Sequence, residues 1–320
     1  MAQYRYALPQ LHDGLFLTDS GLETTLVFQH GRELPCFAAF PLLDDPEGWY
    51  FLANYYRRHA RVALQRGVGF VLESATWRAN RSWAEKLGYS AARLADVNRR
   101  AVELLVTVRD ELETPRTPMV VSGCVGPRGD GYVADTAMTV DQAREYHAAQ
   151  IRVYEQTDAD LVTAMTMTNV EEATGVVLAA RDVNMPVAIS FTVETDGRLP
   201  TGQPLPEAID AVDSLSGRWP AYYMINCAHP DHFERQLAAG RWMHRLRGVR
   251  ANASRRSHAE LDAATELDSG NPVELGGDYA RLRSRFPWLN VLGGCCGTDI
   301  RHVEQIGVAC APAGSERVRV

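Results

Sequence analysis

The residues best suited to chemistry stand together in VLGGCCGTD, Val291–Asp299. A short apolar run over Asn290–Leu292 meets two glycines and then the adjacent pair Cys295 and Cys296. Neighbouring side chains on a regular strand point to opposite faces. For both thiols to face one ion, the strand must end or twist here, and Gly293, Gly294 and Gly297 permit that. A third thiol, Cys227 in YYMINCAHP, also closes an apolar run. Soft thiolates favour Zn2+, which takes four ligands in tetrahedral geometry. Three cysteines leave one position open, as catalytic zinc sites do. No C-x2-C pair is present, so a zinc site that serves folding alone is not the expectation. His229 is a candidate fourth ligand, but it would close the site, and a helix-start role suits it better.

Three thiolates around Zn2+ leave a formal charge of −1, which makes the ion a poor generator of hydroxide. It still binds an incoming thiol and holds it deprotonated. A thiolate held in this way remains nucleophilic, so the reaction class is thiol alkylation. A zinc hydrolase is one rival, but its usual His and carboxylate ligands are not at these positions. A non-catalytic zinc- or thiol-binding protein is the other.

Eight apolar runs carry the candidates: Leu15–Thr18, Val68–Leu72, Pro118–Cys124, Leu161–Thr166, Pro186–Phe191, Tyr222–Asn226, Gly248–Asn252 and Asn290–Gly293. Helical patterns fall between most of them: Trp49 to about Gln65, Ser90 to Leu112, and one from a Thr139/Gln142 capping box to near Thr157. Others run from a Thr168/Glu171 cap to Asp182 and over Pro206–Leu215, Asp231–Ala238, Ala259–Leu267, Asp278–Phe286 and Thr298–Ile306. This alternation implies parallel strands with crossover helices. Eight units fit one α/β domain, a (β/α)8 TIM barrel, whose typical size is ~250 residues plus insertions. A doubly wound sheet would place a glycine-rich phosphate loop after its first strand; DSGLETTL lacks that spacing. No linker divides the chain, so the expectation is one domain over residues 1–320 with its core at about 15–308.

Barrel active sites gather where strands end. Asp19, Glu73, Cys124, Cys227, Asn252 and the Cys295–Cys296 pair all stand at such ends. Glu73 and Trp77, in ESATWRAN, line the pocket or serve packing; an aromatic face would suit a cationic alkyl donor. The loop Gly126–Gly131, with Arg128 and Asp130, is a lid, a donor loop or plain surface, since its glycines lack phosphate-loop spacing. Asn252 bonds substrate or caps a turn, and Cys36 and Cys310 read as structural.

The chain has 320 residues, 46% of them hydrophobic, and 33 basic against 40 acidic groups give a formal charge of −7. That balance argues against nucleic acid or an anionic membrane as partner. No apolar run approaches the roughly 20 residues of a spanning helix. The start, MAQYRYALPQLHDG, lacks the order of a signal peptide. Six cysteines, two adjacent, do not resemble a secreted disulfide framework, so a reduced, cytoplasmic protein is expected. The tail APAGSERVRV shows no assembly arm, which leaves a monomer or small homo-oligomer.

GGCCGT, the upstream INC, DSGLETTL, SGCVGPRGD and ADLVTAMTMTNVEEA together resemble the homocysteine S-methyltransferase family, from about Leu15 to Ile306. The resemblance implies a zinc-containing (β/α)8 barrel that moves a methyl group from a sulfonium, betaine-like or folate donor to homocysteine. It implies Cys227, Cys295 and Cys296 as zinc ligands, and Asp19 as the acid that meets the amino group of homocysteine. The family commonly carries Glu-Thr at the end of the fourth strand, where this chain has Met165 and Thr166. The missing carboxylate removes an ion pair worth ~1–3 kcal/mol. Glu23 or Glu73 would be its replacement, and a different small thiol or a selenol is the alternative acceptor. A small activated donor such as S-methylmethionine, S-adenosylmethionine or a betaine suits a single domain, since methylcobalamin chemistry with folate needs further modules.

Overall fold

The computed structural model describes residues 1–134 and 138–311; the polar tail noted above lies outside them from residue 312. Eight parallel strands close into a barrel in sequence order. They are β1 (Phe16–Thr18), β2 (Gly69–Glu73), β3 (Met119–Val125), β4 (Leu161–Met167), β5 (Val187–Phe191), β6 (Tyr222–Asn226), β7 (Leu246–Ala251) and β8 (Val291–Gly294). Pairing of Phe16 with Val291 joins the last strand to the first. The helices that follow the strands are α1 (Pro46–Arg66), α2 (Ala91–Leu112), α3 (Val140–Glu155), α4 (Val170–Asp182), α5 (Leu205–Ser216), α6 (Pro230–Phe233), α7 (Pro272–Arg285) and α8 (Ile300–Cys310). The single (β/α)8 barrel is the architecture that the spacing of the apolar runs implies.

Strand alternation divides the barrel interior into a dry floor and a polar upper layer. Phe16, Val71, Val120, Leu161, Ala188 and Met224 belong to one buried apolar cluster inside the barrel. Two residues further along the same strands, on the same face, stand Thr18, Glu73, Ser122, Thr163, Ser190 and Asn226, all buried. Ser122 and Thr163 bond to each other at 2.8 Å, and Ser190 donates to Asn226 Oδ1 at 2.6 Å. The floor excludes water, while the upper layer presents polar groups towards the strand ends.

Local sequence explains most helix ends. Asp45 caps α1 by accepting from the Gly48 amide, and Gly67 ends it at φ 62°. Ser90 caps α2, and Thr139 with Gln142 forms the expected capping box on α3. Three expectations need correction. Asn169, not Thr168, caps α4, because its side chain reaches the Glu172 amide at 2.8 Å. The helix expected over 231–238 stops at Phe233. The one expected over 259–267 is a single short helix, His258–Asp262, because the chain then turns so that Ala264 and Leu267 line the cavity.

At the opposite end, the N-terminal segment closes the floor. Asp160 accepts from the amides of Gln3, Tyr4 and Val121 at 2.8, 2.7 and 2.9 Å, and Arg109 Nη1 lies 3.2 Å from its carboxylate. Both ionic side chains are buried. Removing one partner of a buried pair leaves an uncompensated charge. Asp160→Ala should therefore destabilise the fold by about 3–5 kcal/mol, read as a lower urea midpoint at unchanged slope.

Candidate active site

The third thiol is held by a backbone conformation that few residues adopt. Cys227 follows β6 with φ 55°, in the left-handed region. Such a residue costs roughly 1–3 kcal/mol and persists only where its surroundings fix it. Here its amide donates to the Arg250 carbonyl at 3.1 Å. Its own carbonyl accepts from Asn252 Nδ2 at 2.9 Å and lies 2.6 Å from His258 Nε2. Of the two roles the sequence leaves open for Asn252, the turn contact is the one seen here: its amide secures the turn that carries a cysteine.

Cys295 and Cys296 follow β8. The Cys295 amide donates to the Ala251 carbonyl at 2.8 Å, and the Ala253 amide to the Cys296 carbonyl at 3.1 Å. The β1 turn presses so closely on this segment that a Cβ on Gly21 would lie 2.5 Å from the Cys295 carbonyl oxygen. The sulfurs of Cys227, Cys295 and Cys296 lie within 4.8 Å of one another. Three thiolates on a tetrahedral zinc ion stand about 3.8 Å apart, so the set fits such an ion. Cys227 and Cys295 are paired as a disulfide across a Cα–Cα span of 5.3 Å. A span that lets two sulfurs share one ion also lets them bond to each other, so ion binding requires that bond reduced. Burial pushes the Cys296 thiol up to about 11, and the Tyr132 hydroxyl lies 3.3 Å from its sulfur. Cys124 lines the same cavity outside the thiol cluster, Cys310 is buried and Cys36 is exposed. His229 caps α6 by accepting from the Asp231 amide at 3.2 Å, and lies outside the thiol cluster.

These sulfurs open into a cavity of about 460 Å3 at the strand ends, which Asp19, Glu23, Glu73, Trp77 and Met165 also line. Asp19 is not free in it: Arg250 Nη2 lies 2.6 Å from Asp19 Oδ1, with both side chains buried. Burial opposes the charge on Arg250, but Asp19 and then Glu73 hold its pKa above the ordinary value. Burial pushes the Glu73 carboxyl up to about 7 against the pull of Arg250, and among the described residues Glu73 Oε1 has no hydrogen-bond partner. Glu23 is half-buried at the cavity wall, and burial pushes it up to about 7 as well. Met165, at the strand position expected to be acidic, contributes a buried thioether. Beside it, Thr166 is held at φ 61° by Asn226, which accepts from its amide at 2.9 Å.

Several cavity groups were not singled out from sequence. Arg250 carried a signal: a charged residue two positions after Gly248, inside an apolar strand, must face the barrel interior. Arg78 stacks on Trp83 at 3.6 Å and on Trp77 at 4.4 Å from the ring centroids. Its partner Asp130 is 3.9 Å away, which makes Gly126–Gly131 a roof over Trp77 and Arg78. Tyr132, which stacks on His258 with centroids 4.2 Å apart, had no sequence signal because only the fold brings its loop to Cys296.

The sequence model of the homocysteine S-methyltransferase family matches residues 17–310, a span that contains every strand of the barrel except the first residue of β1. The chain belongs to the homocysteine S-methyltransferase family. It is accordingly an S-methyltransferase of the family that methylates homocysteine. It is 22% identical to homocysteine S-methyltransferase 3 of Arabidopsis thaliana over 92% of this chain and 89% of that protein. Selenocysteine Se-methyltransferase of Brassica oleracea var. italica is also 22% identical, over 89% and 86%. The fold is similar to that of the homocysteine methyltransferase MmuM from Escherichia coli in its oxidised form, at a TM-score of 0.72 and 19% identity over 96% of this chain and 99% of that one. The metallated form of MmuM gives 0.71 at 18% identity over the same shares. Among the described residues, no helix is long and apolar enough to cross a membrane.

Glu23 and Glu73 make a pH prediction for this family member. Their folded pKa values near 7 exceed the ordinary 4.5, so between those values the folded protein holds more protons than the unfolded chain. Their contribution to stability is complete below pH 4.5 and is lost as pH rises through 7. Each carboxyl contributes a slope of at most about 1.4 kcal/mol per pH unit. Thermal melts from pH 5 to pH 8 should show a fall in midpoint, and Glu73→Gln should flatten it.

Proposed function

We propose that this chain transfers a methyl group from a small activated donor to the thiol of homocysteine, giving methionine, with Zn2+ held by Cys227, Cys295 and Cys296. The observation that carries the reading is the meeting of three sulfurs within 4.8 Å, in one cavity, at the strand ends of the family barrel. A zinc ion bound there would supply the positive charge that keeps the acceptor thiol deprotonated near neutral pH. The metallated form of MmuM supports metal dependence, and the soft donor set supports zinc in particular.

The rest of the work falls to the chain. The acceptor sulfur must approach the donor methyl in line, so that one S–CH3 bond forms as the other breaks and the donor leaves as a neutral thioether or amine. Holding two reactants in that geometry is worth several kcal/mol of barrier. The cavity is large enough for two small molecules, with Met165 in its lining and the roof loop packed on Trp77 at its edge. Trp77 offers an aromatic face that suits a sulfonium or quaternary ammonium donor. S-methylmethionine, S-adenosylmethionine and betaine are therefore the donor class. The same chemistry serves a selenol acceptor, the substrate that the Brassica relative is named for. The reduced thiols that this chemistry needs suit a cytoplasmic location.

The test measures zinc content and methionine formation from homocysteine and S-methylmethionine, under reducing conditions, for wild type and Cys296→Ala. About one zinc per chain and methionine from wild type alone are expected. Zinc with no methionine from any of the donors would move the acceptor to another thiol or a selenol. Absence of zinc from reduced wild-type protein would overturn the reading.

A further inference from the structure

One sulfur of the cluster has a hydrogen-bond partner from a different part of the barrel mouth. Tyr132, in the loop that follows β3, places its hydroxyl 3.3 Å from Cys296 Sγ, within reach of a hydrogen bond to sulfur. With a free thiol either atom can donate. A thiolate that binds a metal ion has no proton, whereas a tyrosine hydroxyl keeps its own near neutral pH. Once Cys296 is a ligand the direction is fixed: the phenol donates and the sulfur accepts.

The ring that carries this hydroxyl is itself held in place. Its face stacks on His258, with centroids 4.2 Å apart and planes 27° from parallel. His258 is anchored at both nitrogens, Nε2 2.6 Å from the Cys227 carbonyl and Nδ1 3.2 Å from Glu194 Oε1. The Tyr132 amide donates to Asp130 Oδ1 at 2.7 Å. One stacked pair thus reaches two of the three cysteines, the sulfur of Cys296 and the backbone of Cys227. Cys295 is served less well: Asn226 Nδ2 lies 3.9 Å from its sulfur and already donates to Thr166 Oγ1 at 2.8 Å.

Partners of this kind, outside the ligand set, orient metal ligands and tune them. Three thiolates bring more negative charge than Zn2+ brings positive, and a hydrogen bond donated to one of them offsets part of the excess.

We propose that Tyr132 is a positioning residue of the thiol site: its hydroxyl donates to the Cys296 thiolate, holds that sulfur in place and relieves the excess charge of the three ligands. The assignment rests on the zinc reading and adds to it a residue that carries no ligand atom. Tyr132 keeps its proton, and it makes and breaks no covalent bond.

The experiment uses reduced wild type, Tyr132→Phe and Tyr132→Leu. Zinc affinity is measured by competition with a chromophoric chelator, and each protein is loaded with Co2+ in place of zinc for its absorption spectrum. Phenylalanine keeps the ring that stacks on His258 and removes the hydroxyl alone. Tyr132→Phe should bind zinc about 10- to 100-fold more weakly than wild type. Its thiolate-to-cobalt charge-transfer band should move to longer wavelength, because a thiolate without a hydrogen-bond donor gives up electrons more easily. Tyr132→Leu should show the same spectral shift and an affinity at least as low. Affinity and spectrum unchanged in Tyr132→Phe would overturn the proposal and leave the zinc reading standing. A loss confined to Tyr132→Leu would assign the residue to packing and overturn the proposal as well. Reduced wild type that binds neither ion would overturn the zinc reading, and the proposal with it.

Discussion

The buried ion pair between Arg250 and Asp19 is the interaction on which the mouth of the barrel depends. It joins β7 to the end of β1, and the same guanidinium bonds the Gly294 carbonyl, immediately before the cysteine pair. Three consecutive strands of the closed sheet, β7, β8 and β1, are thereby fixed to one another beside the thiols. A buried charge without its partner would be strongly destabilising. The pair therefore constrains where β8 ends, and with it where Cys295 and Cys296 stand. Asp19 thus lines the cavity as one half of an ion pair.

The thiol cluster is positioned by backbone more than by side-chain packing. Cys227 occupies a left-handed conformation fixed through its amide and its carbonyl. Cys295 and Cys296 hang from the β7 turn by two backbone bonds, with Gly21 in contact on the other side. Strain at Cys227 is thus supported by neighbours on the β7 side of the mouth, Asn252 and His258. The arrangement brings sulfurs from two strand ends close enough to share an ion or to oxidise to a disulfide. The two outcomes compete for the same lone pairs, which couples metal binding to the redox state of the pair.

Charge inside the cavity is distributed unevenly. Arg250 and Asp19 cancel, while Glu23 and Glu73 have no cation at hydrogen-bonding distance among the described residues and are shifted towards neutrality by burial. A pocket of this kind favours substrates that arrive with positive charge, which both an amino-acid thiol and an onium donor do. Arg78, held between two tryptophan rings with a distant acidic partner, is the counterweight on the roof side.

The sequence by itself determined the barrel and the thiols. Eight apolar runs, punctuated by helix caps at Ser90 and Thr139, reflect local propensity and burial, and these survive in the primary pattern. Two adjacent cysteines after paired glycines, with a third at another strand end, were legible because metal chemistry demands those residue types at strand termini. Which carboxylates are free was not legible. Asp19 and Glu73 are equivalent in sequence, acids at strand ends, and only the position of Arg250 neutralises one and leaves an oxygen of the other unpaired. Asn252 likewise reads as a strand-end contact until the fold turns its amide towards the Cys227 carbonyl. Tyr132 and the roof loop reach the site across the barrel mouth. Pairing between residues far apart in the chain depends on strand order, register and tilt, and no local pattern encodes those distances.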